Sequence, residues 1–351
     1  MFLSLNRRVR FMDKLFTEIT VGELRIKNRI VMPPMCMYQA DNSGNAQDFH
    51  VTHYATRAMG GVGLIIVEAT AVEPCGRISD QDLGIWSDDH IEGLKKITDQ
   101  VKSYGAHIGI QLNHAGRKCG AKSEKTIYAP SPRAFSEEYL VPVEMTMDDI
   151  KRVIALFKDA AKRAKKAGFE LVEIHGAHGY LLSEFMSPLA NTRTDRYGGS
   201  HENRVRLAGE IIDAVKSVFD GTIGFRVSAE DYVEGGNHPS DLVKMINFVK
   251  DKGVEIVNVS SGGVAEASIP LYPGYQVKFA EEIKEGCQLP VIAGGLLTDA
   301  LMLEEILCND RADMVFLGRE LLRNPYFALK AAHTLKVDIE WNTSYERARF
   351  R

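Results

Sequence analysis

The stretch from Ile174 to Gly199 reads IHGAHGYLLSEFMSPLANTRTDRYGG and places two imidazoles and a phenol, His175, His178 and Tyr180, close together. An apolar run, Leu171, Val172 and Ile174 around Glu173, leads into them, so they stand at the end of a candidate buried strand. Residues of these types at this spacing allow three chemistries. Paired imidazoles can bind a metal, although no third ligand follows at a recognisable spacing. A histidine at a strand end can be structural, which for a lone one is the default. Two ring N–H groups can also be aimed at one oxygen that gains negative charge during a reaction, with the phenol beside them as a proton source. This third chemistry describes a site for an electron-rich carbonyl substrate.

Arg226 lies inside another apolar run, TIGFRVS. A buried arginine needs an anionic or polar partner. A flavin ring is one, because its reduced form carries charge near N1; a salt bridge to Glu173 or Glu230 is the other, and the sequence leaves both open. Two glycine-bearing segments follow. AGGLLTDALMLEEIL sets Gly294 and Gly295 ahead of a helix start, and LGRELLRNP sets Gly318 and Arg319 ahead of another. Backbone N–H groups in such loops, with a helix N-terminus behind them, bind phosphate; a tight turn is the plainer reading of the doublet.

The elements that must position these residues recur along the whole chain. Short apolar runs lie at 29–35, 63–69, 107–114, 170–176, 222–228, 255–261, 290–295 and 314–320. Near-continuous Val/Ile/Leu runs suit strands buried on both faces, hence a parallel sheet. Between them lie amphipathic stretches such as 148–168, with acidic residues at its start and a glycine at its end, the chemistry of helix termini. Eight such units without a linker predict an α/β fold of one domain, a closed (β/α)₈ TIM barrel over residues 13–335. A doubly wound open sheet is the runner-up, but no G-x-G-x-x-G follows the first strand. The stretch 115–147 is expected to run over the barrel mouth. In a barrel the active site gathers at the C-terminal strand ends. Those ends carry Pro34, Met35, Cys36, Tyr38, Glu68, Ala69, Gln111, Asn113, His114 and the residues above.

The chain has 351 residues, 45% of them hydrophobic and 26% charged, ordinary for a globular protein. A net charge of −4 argues against a nucleic-acid partner. No apolar run approaches the ~20 residues needed to span a bilayer, so no membrane role is expected. The five cysteines, Cys36, Cys75, Cys119, Cys287 and Cys308, are scattered without a C-x-x-C pair. That pattern fits reduced thiols in a cytoplasm and excludes the usual zinc and iron–sulfur spacings. The basic start, residues 1–12, is expected to be a disordered tail or to precede a start at Met12.

Together, IKNRIVMPPMCMY, GLIIVEATAVEPCGR, GIWSDDHIEGLKKI, GIQLNHAGRK, EIHGAHGYLLSEFMSPLANTRTDRYGGSHENR and GRELLRNPYF resemble the Old Yellow Enzyme family of flavin-dependent ene-reductases, and within it the YqjM-like (thermophilic-like) subclass. The similarity runs from Leu15 to Arg347. It implies non-covalent FMN, NADPH or NADH as reductant, and ping-pong reduction of the C=C bond of α,β-unsaturated carbonyl or nitro compounds. It places Pro34, Met35 and Cys36 along the flavin ring, with the Cys36 thiol near O4/N5. Pro33 stands where relatives often carry a small or hydroxylated residue, so only its backbone is expected to contribute. By the same resemblance Ala69 and Gln111 meet the other ring edges, Arg226 lies by N1/O2, and Gly294, Gly295, Gly318 and Arg319 hold the phosphate. His175 and His178 hold the substrate oxygen, Tyr180 donates the proton and Tyr38 contacts substrate.

The resemblance also implies a homodimer or dimer of dimers. Tyr345-Glu346-Arg347 is similar to a C-terminal motif through which the tail, 336–351, reaches a neighbouring subunit, with Arg347 in its substrate pocket. A solvated basic tail is the alternative, and Ala348-Arg349-Phe350 replaces the subclass's Gly-aromatic ending. Two other functions compete: a phosphate-binding barrel isomerase or aldolase, and a non-catalytic flavin sensor using Cys36 as a redox switch. The first would use a lysine or carboxylate base, and no lysine stands at any of the eight strand ends except Lys118, well past the third.

Overall fold

The computed structural model describes residues 13–350; the expectation for residues 1–12 lies outside the described residues. The eight apolar runs form β1 (Ile30–Met32), β2 (Leu64–Ala71), β3 (His107–Asn113), β4 (Leu171–Gly176), β5 (Thr222–Ser228), β6 (Ile256–Ser260), β7 (Val291–Ala293) and β8 (Met314–Phe316). They pair in parallel in chain order, and β8 closes on β1 through Val315↔Ile30. That pairing makes the sheet a closed barrel and excludes the open one. Each strand is followed by an outer helix: α1 (Asp48–Met59), α2 (His90–Ser103), α3 (Met147–Lys166), α4 (His201–Lys216), α5 (Pro239–Val249), α6 (Val277–Cys287), α7 (Ala300–Cys308) and α8 (Phe327–Leu335).

Helix α3 illustrates the local causes. Thr146 Oγ1 accepts the Asp149 N–H and the Asp149 carboxylate accepts the Thr146 N–H, a reciprocal cap. Ile150, Val153, Phe157, Ala160, Ala161 and Ala164 form the buried stripe, at helical spacing. Gly168 stands at φ +87°, outside the last turn, so the helix ends before the glycine that signals its stop.

The barrel interior is layered. At its lower end Val31, Leu64, Ile66, Leu171, Ile256, Ile292 and Met314 pack with Val21, Leu24 and Ile26 of an N-terminal hairpin in one buried cluster. One layer up, the same inward-facing register brings Gln111 opposite Glu173, His175 opposite Arg226, and Arg226 opposite Asn258. A polar layer inside a barrel is costly unless its members satisfy one another. A bulge in β2 between Val67 and Ala69 leaves Ala69 level with Gln111 and frees Glu68 to turn toward α1.

The stretch 115–147 holds a 3₁₀ turn (Gly116–Lys118) and a two-residue pairing of Tyr128–Ala129 with Val143–Glu144. Arg117 Nη2 donates to the Val264 carbonyl (2.5 Å) and Arg133 Nη1 to that of Leu189 (3.2 Å). These bonds reach the loops after β6 and β4, so the stretch covers the mouth as expected.

Candidate active site

The His175 and His178 rings are 5.3 Å apart and nearly perpendicular, at 87°, and the Tyr180 ring stands 5.1 Å from His175. Hydrogen bonds engage one nitrogen of each ring. His175 Nδ1 accepts the Ala177 N–H (3.3 Å), so its proton is on Nε2. His178 Nε2 is 2.7 Å from Ser260 Oγ, which also accepts the Gln276 amide. The hydroxyl has one proton and two lone pairs, so either partner can donate in this bond, and it engages the Nε2 side of the ring. Burial pushes both imidazoles well below the usual range, helped by the Arg226 and Lys118 cations, so both are neutral. Burial and the neighbouring Cys36 and Tyr38 push the Tyr180 phenol up, and it holds its proton. Two neutral N–H donors and a protonated phenol therefore share one pocket. His178 keeps a left-handed backbone, φ +61°, and Tyr38 does likewise at +54°. Non-glycine residues adopt this conformation only where surroundings impose it.

Beneath them lies the polar layer. Glu173 accepts from Gln111 Nε2 (2.7 Å) and Asn258 Nδ2 (2.8 Å). Of the two partners foreseen for Arg226, Glu230 is engaged elsewhere, by His238 (2.9 Å) and the Tyr232 N–H. Glu173 is the largest charge acting on Arg226, whose guanidinium lies over the Phe316 ring at 5.5 Å while its Nε is buried without a partner. The sequence reading set flavin against carboxylate; the structure has the carboxylate near and a donor still unspent.

The segment after β1 is held from behind. Glu68 accepts the Met37 N–H (2.8 Å) and the Tyr54 hydroxyl (3.1 Å), and burial raises its carboxyl to about 7. The Cys36 thiol is raised well above its ordinary value, by burial first and then by Asp82 and Glu68, so it is a thiol rather than a thiolate. The backbone N–H of Ala69 bonds it. Met35 and Pro33 line the approach to Gly318, with Met35 Sδ 3.4 Å from where a Cβ there would stand. Tyr38 is half-exposed, at the rim.

Lys118 corrects the sequence reading, which set it well past the third strand. The turn at Gly116–Lys118 folds it back into the site, where its Nζ donates to the carbonyls of His178 (2.9 Å) and Gly263 (3.0 Å). Glu173, Asn258, Ser260 and Gln276 were likewise not singled out as site residues. Glu173, Asn258 and Ser260 share a period-two spacing with His175 and Arg226 on inward faces, a signal that was legible.

Gly318 directly caps the short helix Arg319–Arg323, as expected, but the helix end expected behind Gly294 and Gly295 needs a correction. Helix α7 begins five residues beyond Gly295, and the carboxylate of Asp299 accepts its first free N–H groups, those of Leu301 and Met302. An anion cannot use that helix end. The N–H groups of Gly294, Gly295, Gly318 and Arg319, however, have no partner among the described residues. Gly295 takes φ +100°, and a Cβ at Gly294 would collide with the Phe316 ring.

The matching family model, NADH:flavin oxidoreductase / NADH oxidase, covers residues 14–338. The chain belongs to this family. Among its flavin oxidoreductases, an NADPH dehydrogenase of Clostridium acetobutylicum is 56% identical over 338 residues, 95% of this chain and 99% of that protein. One of Bacillus subtilis is 54% identical over 335 residues, 95% and 98% of the two chains. The old yellow enzyme homologue of Zymomonas mobilis superposes with a TM-score of 0.79 at 27% identity, covering 94% of this chain and 95% of that one. Morphinone reductase does so with a TM-score of 0.80 at 27% identity, covering 95% and 93%. These relatives fit the YqjM-like branch of the Old Yellow Enzymes.

FMN, the cofactor this membership implies, fits the residues present. The unpartnered Arg226 Nε suits a ring that gains negative charge, and four unpaired N–H groups at adjacent strand ends suit a phosphate. Gln111 commits one N–H to Glu173, which leaves its carbonyl oxygen free for the ring's pyrimidine edge.

A second buried cluster, Glu73, Cys75 and His114, has metal-like composition. Its hydrogen bonds are already complete. His114 Nδ1 accepts the Gly116 N–H (3.0 Å), so Nε2 carries the proton and donates it to Glu73 Oε1 (2.8 Å), while Arg152 holds the other carboxylate oxygen. An imidazole with Nδ1 so occupied has no lone pair left for a cation.

Proposed function

We propose that the protein is an FMN-dependent NAD(P)H oxidoreductase that reduces the C=C bond of α,β-unsaturated carbonyl or nitro compounds, with His175, His178 and Tyr180 as its substrate-facing groups. The observation that carries this reading is the convergence of two neutral imidazole donors and a protonated phenol over the layer of Gln111, Glu173 and Arg226. When bound, FMN supplies hydride that it has taken from NADPH or NADH, the former matching the names of the relatives. His175 Nε2–H holds the carbonyl or nitro oxygen together with His178 Nδ1–H, the proton that ring presents when Ser260 donates to its Nε2. Their bonds strengthen as that oxygen becomes enolate-like, which lowers the barrier rather than only tightening binding. The Tyr180 hydroxyl protonates the α-carbon. Arg226 offsets negative charge beneath, Cys36 lies along the ring edge as a neutral thiol that tunes rather than reacts, and Tyr38 closes the rim.

The isomerase or aldolase alternative is disfavoured by the family match to flavin oxidoreductases and by Lys118, whose Nζ is tied to the carbonyls of His178 and Gly263. The sensor alternative needs a thiolate, and burial with Asp82 and Glu68 holds Cys36 as a neutral thiol.

The C-terminal tail supports a shared site. Tyr345 packs on Tyr326 (5.9 Å) and Phe350 stacks on His333 (4.7 Å), which anchors the tail near α8. The Arg347 side chain between them is exposed. A guanidinium so presented suits the pocket of a second copy, in a homodimer or dimer of dimers. No helix among the described residues is long and apolar enough to cross a membrane, and the five free cysteines support a reducing cytoplasm.

The test is to saturate the purified protein with FMN, bleach it anaerobically with NADPH, and add 2-cyclohexen-1-one. Colour should be lost and then restored. Protein that stays colourless after saturation, or stays bleached with the enone, refutes the reading.

A further inference from the structure

The strand-end loops that carry the site press against each other. A Cβ at Gly263, in the loop after β6, would stand 2.7 Å from the backbone of His178, and one at Gly179 would collide with the Gly263 carbonyl. Such an approach brings two carbonyl oxygens, of His178 and Gly263, to one point inside the protein. Carbonyls that face each other repel unless a donor lies between them. The donor is the Lys118 ammonium, which bonds both, at 2.9 and 3.0 Å. An ammonium has three N–H groups. The third has the aromatic faces of Phe135 and Tyr180 before it, 4.5 and 5.1 Å from Nζ.

The sequence supplies this arrangement economically. Gly116 takes φ +60°, and a Cβ there would overlap the buried Glu184 carboxylate, so only glycine allows the turn that brings Lys118 inward. Glu184 accepts the Arg117 N–H (2.8 Å) and faces Lys118 electrostatically. Burial lowers the amine to about 8, with Glu184 opposing and Arg117 adding to the shift.

We infer that Lys118 is a positioning residue of the reduction site: by tying the His178 carbonyl to the Gly263 loop it holds His178 in its left-handed backbone and so sets where the His178 imidazole and the Tyr180 phenol stand. This rests on the role proposed above for His175, His178 and Tyr180. The charge has a second effect. The cations facing the two imidazoles are Arg226 from β5 and Lys118 from the turn after β3, and both favour the neutral rings. Without Lys118 the left-handed His178 has no donor on its carbonyl, and the loop after β6 loses its bond to that carbonyl's side of the site, keeping those from Arg117 to Val264 and from Ser228 to Gly262.

Replacing Lys118 by methionine keeps the length and removes the donors and charge. Misplacing a reacting group by about 1 Å costs roughly a hundredfold. K118M should therefore lower kcat for 2-cyclohexen-1-one by about that factor, with bound FMN retained and a much smaller change in KM. In histidine-labelled protein followed by NMR, the His178 ring should titrate at higher pH in K118M than in the unaltered protein, and K118R, which keeps the charge, should leave it in place. A kcat within twofold of the unaltered enzyme, or an unmoved His178 titration in K118M, overturns the inference. If K118M does not fold, Gly263→Ala serves, since it pushes the loop off His178 while leaving the ammonium. It should lower kcat without moving the titration, and an undiminished kcat in folded Gly263→Ala overturns the inference equally. Loss of enone reduction in the unaltered protein would instead strike the proposed function.

Discussion

Replacing His175 by alanine isolates the step at which negative charge develops on the substrate. The side chain is 3% exposed and its Nδ1 is occupied by the Ala177 N–H, so the enzyme loses one oriented Nε2–H donor. Removing one donor to a developing oxyanion costs about 10²–10³ in rate, or ~3–4 kcal/mol. Some of that returns if water fills the space, so the lower end is expected. The cost should fall on one half of the cycle. Reduction by NADPH would build negative charge on the flavin ring, where Arg226 offsets it, whereas enone reduction builds it on the substrate oxygen beside His175. Anaerobic stopped-flow separates the two, bleaching by NADPH first and recovery of colour with enone second. His175→Ala should slow the second about a hundredfold and the first far less. Equal slowing of both halves would mean that the ring only supports structure, and the oxyanion reasoning would fail.

Gly294→Ala should weaken FMN binding about tenfold or more, since the added Cβ meets the Phe316 ring beneath Arg226 and overpacking of this kind costs ~1–3 kcal/mol; equilibrium fluorescence titration measures it. Arg347→Ala should raise KM for enones while FMN content stays intact, and a monomeric yet fully active protein in analytical ultracentrifugation would rule out the shared site. His53 is buried and lowered to about 3, chiefly by burial and then by Arg57, with Nε2 unpartnered. Its folded-state value lies below the unfolded 6.5, so on acidification the unfolded chain takes the proton first. Between pH 6.5 and about 3 the protein should therefore lose ~1.4 kcal/mol per pH unit relative to His53→Phe, with no difference in slope above 6.5; urea unfolding at stepped pH tests this.

The eight apolar runs and the caps between them were legible because strand and helix formation depend on near neighbours. Near-continuous apolar runs and the N-terminal acid with C-terminal glycine of α3 are local patterns, and they gave the barrel with its strand ends in order. Chemically distinctive residues at those ends, His175, His178, Tyr180 and Arg226, stood out for the same reason. Relations set by closure of the barrel were not legible. No one-dimensional pattern says that Glu173 takes the amides of both Gln111 and Asn258, 62 and 85 positions away in the chain. The nitrogens of the two histidines are engaged by Ala177, just past β4, and by Ser260, at the end of β6, which closure of the barrel brings together. Asp299, directly before a helix start, reads as an ordinary cap, and only its position shows that it denies that helix end to an anion. Lys118 is the sharpest case: five residues past the end of β3 it looks remote, but a left-handed turn at Gly116 brings its amine between carbonyls 60 and 145 residues away. Side-chain type and local period belong to the sequence, while the pairing of buried donors with acceptors depends on which strand ends the closed barrel makes neighbours.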